Sequence, residues 1–236
     1  NQVAGMPAPF SAGGDLAYML SLAKAGRFSE IDDFIKTVHQ GIMSSKYAPY
    51  PVVAAPYGLA LGGGCGGCRP AARMVANADL YMGLVEVAAG LVPSRCSVWN
   101  AAADARNEGF LRAADRIVFN RDLLIGEAKK EVLKMVDDCY VPPRREKFPV
   151  FGREAQGMIW AQMLNMTSGG YITPHMETIA KKVCYCMAGG DVPAGTLVSE
   201  DYLMNLEREA FVDLWRTEQT QKMAEHMMST GKPLFL

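Results

Sequence analysis

Five of the seven residues from Gly62 to Cys68, GGGCGGC, are glycine. A glycine held in a regular element costs roughly 0.5–1 kcal/mol relative to alanine, so a stretch this dense belongs where side chains must be absent. Three chemistries ask for that. Cys65-Gly-Gly-Cys68 has the spacing of half a zinc site or of a redox pair. Gly62-x-Gly64-x-x-Gly67 satisfies the dinucleotide-binding pattern, and Glu86 stands roughly where a ribose-binding acid belongs. A tight turn opening a helix would instead offer bare backbone N–H groups to a developing negative charge.

The rest of the chain narrows the field. Its 236 residues, 50% hydrophobic and 21% charged, can bury a sizeable core as one large domain or two small ones. A net charge of −1 and a pI of about 6.4 give no footprint for nucleic acid or an anionic membrane, and no arginine-rich stripe compensates. No apolar run approaches the ~20 residues of a membrane span, and no charged-then-apolar leader is present. Six cysteines at irregular spacings read as buried, reduced thiols of a cytoplasmic protein. The chain opens at Asn1 in what reads as a strand end, so N-terminal strands are expected to be absent from it.

NQVAGMPAPFSAGGDL reads as that strand end and a loop, leading into a helix near Asp15. Ile31, Phe34, Ile35, Val38 and Ile42 follow helical spacing, with Asp32, Asp33, Lys36 and Gln40 facing away. Pro49 and Pro51 require that helix to end before them. Residues 52–55, VVAA, predict a short buried strand ahead of the glycines, and residues 80–87, LYMGLVEV, a second one. Beyond Asn100 the pattern is mostly helical, with segments near 122–138, 154–166, 174–188, 200–216 and 218–229. Ser199 is placed to cap one of these, and Gly231 followed by Pro233 to stop another. Residues 141–152, VPPRREKFPVFG, are linker-like and divide a mixed α/β region, 1–140, from a helical region, 141–236.

A zinc site needs four ligands. No second C-x-x-C or H-x-x-x-H pair exists, Cys184-x-Cys186 has the wrong spacing, and the three histidines are scattered, so no metal is expected. A thioredoxin-like surrounding pattern for the redox reading is missing. Against the dinucleotide reading, YGLAL intervenes between Pro56 and Gly62, where the motif wants the strand end directly before its first glycine. Pro70 would also fall inside the following helix, at a cost of about 3 kcal/mol.

The third reading gains from motifs elsewhere. Phe10-Ser-Ala-Gly-Gly-Asp15-Leu16, the glycine cluster and LYMGLVEVAAGLVP resemble, in order and rough spacing, the motifs of the enoyl-CoA hydratase (crotonase) superfamily. There they read F-x-A-G-x-D-L, A-x-x-G-x-x-x-G-G-G-C-E and G-x-x-E-x-x-x-G-x-x-P. DARNEGFLRAADRIVFNRD, GREAQGMIWAQM and GGDVPAGTLVSEDYLMNLEREAF, with the terminal TGKPL, are similar to long 3-hydroxyacyl-CoA dehydrogenases that carry a hydratase-like domain at their C-terminus.

The resemblance implies an α/β fold: a crotonase-like ββα spiral core with a helical C-terminal part. It implies that a thioester carbonyl sits between the backbone N–H groups of Ala12 and Gly63, where developing enolate charge meets fixed donors. Gly14, Asp15 and Gly64 join them in binding acyl-CoA, although Asp15 has a second reading as a helix N-cap. Glu86 matches the second of the two glutamates that family hydratases use; flanked by Leu84, Val85 and Val87, it is expected to have a raised pKa suited to proton transfer. The first is replaced by Gly66, which leaves the one-glutamate pattern of the superfamily's isomerases.

Other departures are Gly66, Gly67 and Pro70 where the family has a buried helix, Ser94-Arg95-Cys96-Ser97 in place of a glycine-rich turn, and a helical stretch missing between Asn100 and Ala101. The expected function is an enoyl-CoA hydratase-type lyase of fatty-acid β-oxidation. Alternatives are a one-glutamate isomerase, a non-catalytic acyl-CoA-binding domain, and a dinucleotide-binding oxidoreductase domain. The expected partners are an acyl-CoA substrate and further copies of the chain, with neither nucleic acid nor membrane. No resident cofactor is expected, NAD entering only with an upstream dehydrogenase domain.

Overall fold

The computed structural model describes residues 9–91, 97–99 and 102–236. In chain order its elements begin with α1 (Leu16–Lys24), α2 (Phe28–Lys46), β1 (Val53–Ala54), β2 (Leu59–Leu61), α3 (Gly63–Cys68), β3 (Arg73–Asn77) and β4 (Tyr81–Leu84). A 3-10 turn (Glu86–Ala89) follows, then β5 (Ser97–Trp99), α4 (Ala102–Asn107), β6 (Arg116–Val118) and α5 (Leu124–Asp137). Last come β7 (Phe148–Pro149), α6 (Gly152–Ser168), α7 (Pro174–Ala188), β8 (Leu197–Val198), α8 (Glu200–Trp215) and α9 (Glu218–Thr230). Backbone contacts divide the chain into two compact units, the first made of Asn1–Gly14, Gln40–Val85 and Arg95–Arg144. The second consists of Asp15–His39, Glu86–Ser94 and Arg145–Leu236, so it takes in two segments from the N-terminal half.

In the first unit, β1 to β4 alternate between two sheets. β1 and β3 lie parallel in one, with Val53 opposite Arg73, and β2 and β4 lie parallel in the other, with Leu59 opposite Tyr81. β6 extends the first sheet and β5 the second, so two strands and a helix make one step of a spiral and the next two strands make another. β3 is buried on both faces: Met74 and Ala76 join Cys65, Cys68, Leu80, Met82 and Phe110, whereas Val75 joins Leu124 and Ala128 of α5. That alternation is the period of two of a strand with helices on both sides. Asp115, with its side chain fully buried, locks the start of β3 by accepting from the N–H of Met74 at 2.7 Å and of Arg112 at 2.7 Å.

One expectation is corrected here. The run 80–87 is a strand only over Tyr81–Leu84, because the chain turns at Glu86 into the 3-10 turn that Gly90, at φ +78°, closes. Beyond Asn100 the described chain is mostly helical, as expected, with Arg116–Val118 pairing with β3 and Phe148–Pro149 with Leu197–Val198. The altered turn at 94–97 lies mainly outside the described residues, and the junction at 100–101 lies entirely outside them.

The second unit is mostly helical, with β7 and β8 paired antiparallel. Thr173, Ser199 and Thr217 cap α7, α8 and α9 through their hydroxyls, and Gly189 and Gly231 end α7 and α9 in the left-handed conformation. Its core joins Met19, Leu20 and Leu22 of α1 to Ile31, Ile179, Leu214 and the fully buried Trp215. No helix among the described residues is long and apolar enough to cross a membrane.

Candidate active site

Leu61 ends β2, and Gly62 turns the chain into α3 with φ 53° and ψ −126°, a backbone conformation open to glycine and strained for other residues. Its N–H donates to the carbonyl of Gly83 on β4 at 2.8 Å, which fixes the turn to the sheet. The first helical bond of α3 runs from the N–H of Gly66 to the carbonyl of Gly62 at 3.0 Å. The N–H groups of Gly63 and Gly64 therefore lie ahead of any acceptor within the helix.

Residues 11–13 run alongside this turn. Ser11 donates its N–H to Leu59 at 2.9 Å and accepts from Leu61 at 3.0 Å, so it pairs with β2 as a short parallel bridge. Its hydroxyl accepts from the N–H of Gly13 at 3.2 Å, and Gly13 has φ +95°. The Ser11 side chain fills the space a Cβ at Gly64 would need, while a Cβ at Gly63 would meet nothing within 4 Å. Ala12 and Gly63 are exposed members of two backbone segments held side by side. Gly64 is small so that Ser11 can pack; Gly63 has no such reason inside the protein.

The remaining candidates fall in two places. Gly14 is exposed at the end of the Ser11 loop, with nothing within 4 Å of its Cβ position. Asp15 caps α1, its Oδ1 accepting from the N–H of Tyr18 at 3.0 Å, and belongs to the second unit. Glu86 also belongs to that unit: it opens the 3-10 turn two residues after β4 ends, and the Leu91 N–H donates to its carbonyl at 3.0 Å. The glutamate is half-buried, with Oε2 shielded from solvent.

The cysteines play another part. Cys65 and Cys68 are 0% and 1% exposed, and burial first, then the neighbouring Cys65, pushes the Cys68 thiol up to about 12. Such a thiol is a poor nucleophile and a poor metal ligand near neutral pH. Cys184 and Cys186 are buried too, whereas Cys139 is exposed, a correction to the expectation of uniformly buried thiols.

The structure also replaces the sequence arguments against dinucleotide binding. Gly62 does sit directly at a strand end, and α3 stops at Cys68, so Pro70 lies outside it. What separates this turn from a dinucleotide fold is topology. The parallel neighbour of β2 is β4, and between α3 and β4 the chain makes β3, in another sheet. A βαβ unit would run from its helix straight into the neighbouring strand. Sequence alone does not single out Ser11, whose one signal is that it is a small polar residue ahead of Ala12-Gly13-Gly14.

Residues 3–102 match the family model described as enoyl-CoA hydratase/isomerase. Over 97% of the chain the fold is similar to that of an enoyl-CoA hydratase from Rhodobacter sphaeroides 2.4.1, with a TM-score of 0.62, 16% identity and 76% of that chain covered. A carnitinyl-CoA dehydratase from Mycobacterium thermoresistibile gives a TM-score of 0.63 at 15% identity, over 97% of this chain and 75% of the other. The chain belongs to the crotonase superfamily of enoyl-CoA hydratases and isomerases. It is also 36% identical over 255 residues to a probable 3-hydroxyacyl-CoA dehydrogenase of Bacillus subtilis (strain 168), covering 95% of this chain and 32% of that protein. The chain thus spans about a third of that relative's length. The 255 aligned positions exceed the 236 residues of this chain, so the relative carries residues inside the matched stretch that this chain lacks.

Proposed function

We propose that this chain binds an acyl-CoA thioester and moves a proton at the carbon next to its carbonyl. The reaction is of the enoyl-CoA hydratase type, in fatty-acid β-oxidation, and the chain is the hydratase-like part of a longer 3-hydroxyacyl-CoA dehydrogenase. The observation that carries this reading is the pairing of the Ser11–Gly13 segment with β2 and the turn into α3, which sets Ala12 and Gly63 on neighbouring backbones. In the proposed mechanism their N–H groups donate to the thioester oxygen and strengthen as enolate charge grows on it, each contributing about 3–4 kcal/mol. Gly14 and Gly63 keep the approach free of side chains, Gly64 makes room for Ser11 beside them, and Glu86 gives or takes the proton at the α-carbon.

Position 66 favours a second reading. Hydration adds hydroxide to one carbon and a proton to the other, and Gly66 supplies no carboxylate to deprotonate the water. Glu86 alone suffices to move one proton between carbons, which is double-bond migration. No resident cofactor is assigned to this chain, NAD chemistry falling to the part of the long relative that the chain does not span. Self-association is proposed as well, and sedimentation equilibrium measures it.

The test begins with binding. Acetoacetyl-CoA at about 100 times its Kd should stabilise the protein by about 2.7 kcal/mol, seen as a raised Tm, and NAD should not. Crotonyl-CoA hydration and double-bond migration are then assayed in wild type and in Glu86→Gln, which keeps the shape and loses the proton. Stabilisation by NAD alone, or unchanged turnover in Glu86→Gln, would refute the proposal.

A further inference from the structure

The turn that begins with Glu86 is held at its far end by two helix N-termini of the same unit. Gly90 closes the turn at φ +78°, and its carbonyl accepts from the hydroxyl of Thr220 at 2.9 Å. Thr220 lies in the first turn of α9 and is 0% exposed. Its Oγ1 also lies 3.0 Å from Nε2 of His175, in the first turn of α7. A hydroxyl has one proton, and Gly90 receives it, so Nε2 of His175 must donate to Thr220. The contact is close on every side: a Cβ at Gly90 would stand 3.2 Å from the Cα of Thr220 and 3.1 Å from Sδ of Met223. Neither Thr220 nor His175 figures in the proposed chemistry, and a buried threonine with both hydrogen-bonding directions used is costly to leave half-satisfied.

We infer that Thr220, oriented by His175, is a positioning residue for Glu86, fixing the Gly90 carbonyl and with it the closed turn in which Leu91 bonds back to Glu86. This rests on the proposed role of Glu86 in proton transfer. Carbonyl and glutamate are joined by four residues of backbone, so a loosened Gly90 lets the carboxylate drift from the geometry that proton transfer demands. Substrate affinity, in the proposed mechanism, is set by the backbone N–H groups of Ala12 and Gly63.

The experiment compares Thr220→Val, which keeps the shape and loses the hydroxyl, with Thr220→Ser, which keeps the hydroxyl. Steady-state kinetics on the favoured enoyl-CoA are read together with amide hydrogen exchange over residues 86–91, and Glu86→Gln is the reference. Expected for Thr220→Val are faster exchange of the Leu91 amide and a kcat lower by about 10- to 100-fold, with KM changed less than about twofold. Thr220→Ser should recover most of both. Wild-type exchange in Thr220→Val overturns the inference even if turnover falls. So does faster exchange with unchanged kcat, provided Glu86→Gln is inactive. An active Glu86→Gln refutes the functional reading itself and is seen independently of either Thr220 variant.

Discussion

Gly64→Ala and Gly67→Ala make the same chemical change in the same short helix, and the structure predicts opposite outcomes. Alanine at either position gains up to about 1 kcal/mol of helix propensity over glycine. At Gly67 the new Cβ meets nothing within 4 Å, so that gain stands. At Gly64 the Cβ would fall on the Cβ and Oγ of Ser11, with the Ser11 carbonyl oxygen at 3.4 Å. Ser11 is tied to Leu59 and Leu61 by its own backbone, so it cannot retreat without breaking the bridge to β2. Overpacking of this kind costs about 1–3 kcal/mol, and the two variants should therefore differ by that amount. For a chain of this size each kcal/mol moves Tm by about 2–4 °C, so Gly67→Ala should melt above wild type and Gly64→Ala at or below it. Adding Ser11→Gly to Gly64→Ala removes the obstruction and should recover part of the loss. Equal melting temperatures for the two single variants would show that glycine at 64 has no steric reason, and with it the packing that sets Ala12 beside Gly63 would fall.

Gly63→Ala should fold and melt like wild type, because its Cβ position is open, yet lose turnover, because the methyl occupies the space over the proposed thioester oxygen; a fully active Gly63→Ala would remove this residue from the site. Gly66→Glu also points into open space and restores the carboxylate that hydration lacks, so crotonyl-CoA hydration should rise by a factor within the ~10²–10⁴ of a positioned base, with no rise counting against the family-derived placement of position 66. Burial holds the His175 imidazole below its ordinary 6.5, so the protein contributes stability in full above that pH and loses it as the pH falls toward the lowered native value, where only the unfolded chain takes up the proton. Urea unfolding at pH 7.5 and 5.5 should show that loss in wild type and a smaller one in His175→Gln; equal losses would refute it.

The helices were legible where local signals agree. The apolar periods and the caps at Ser199 and Gly231 place α7, α8 and α9 within a residue or so of their observed ends. Helix α2 starts three residues before its first periodic apolar residue, Ile31, and stops at Lys46, ahead of the prolines. The short strands were not legible. Leu59–Leu61 is three residues between glycines, and Arg116–Val118 sits among helix-favouring neighbours; both exist because parallel partners supply their hydrogen bonds. The assignment of α1 to the unit of the C-terminal helices was hidden for the same reason. Its stripe of Met19, Leu20 and Leu22 shows that a partner is needed, and nothing local names Ile179 and Trp215 as that partner.

The two halves of the candidate site differ in legibility because they use different atoms. The proposed oxyanion donors are backbone groups, and a backbone can approach a substrate only where side chains are absent, a requirement written directly into GGGCGGC. Glu86 works through a side chain, and its residue type says nothing about its direction. Apolar neighbours on both sides suggested a strand, in which it would alternate with Val85; the structure places it at the head of a turn whose form is set by Gly90, four residues on, and by Thr220 and His175, far along the chain. A carboxylate aimed by such remote contacts can keep its motif and lose its geometry through substitutions nowhere near it. The proposed role of Glu86 thus depends on Thr220 and His175, and variants of Thr220 that spare substrate affinity while lowering kcat are where that dependence becomes measurable.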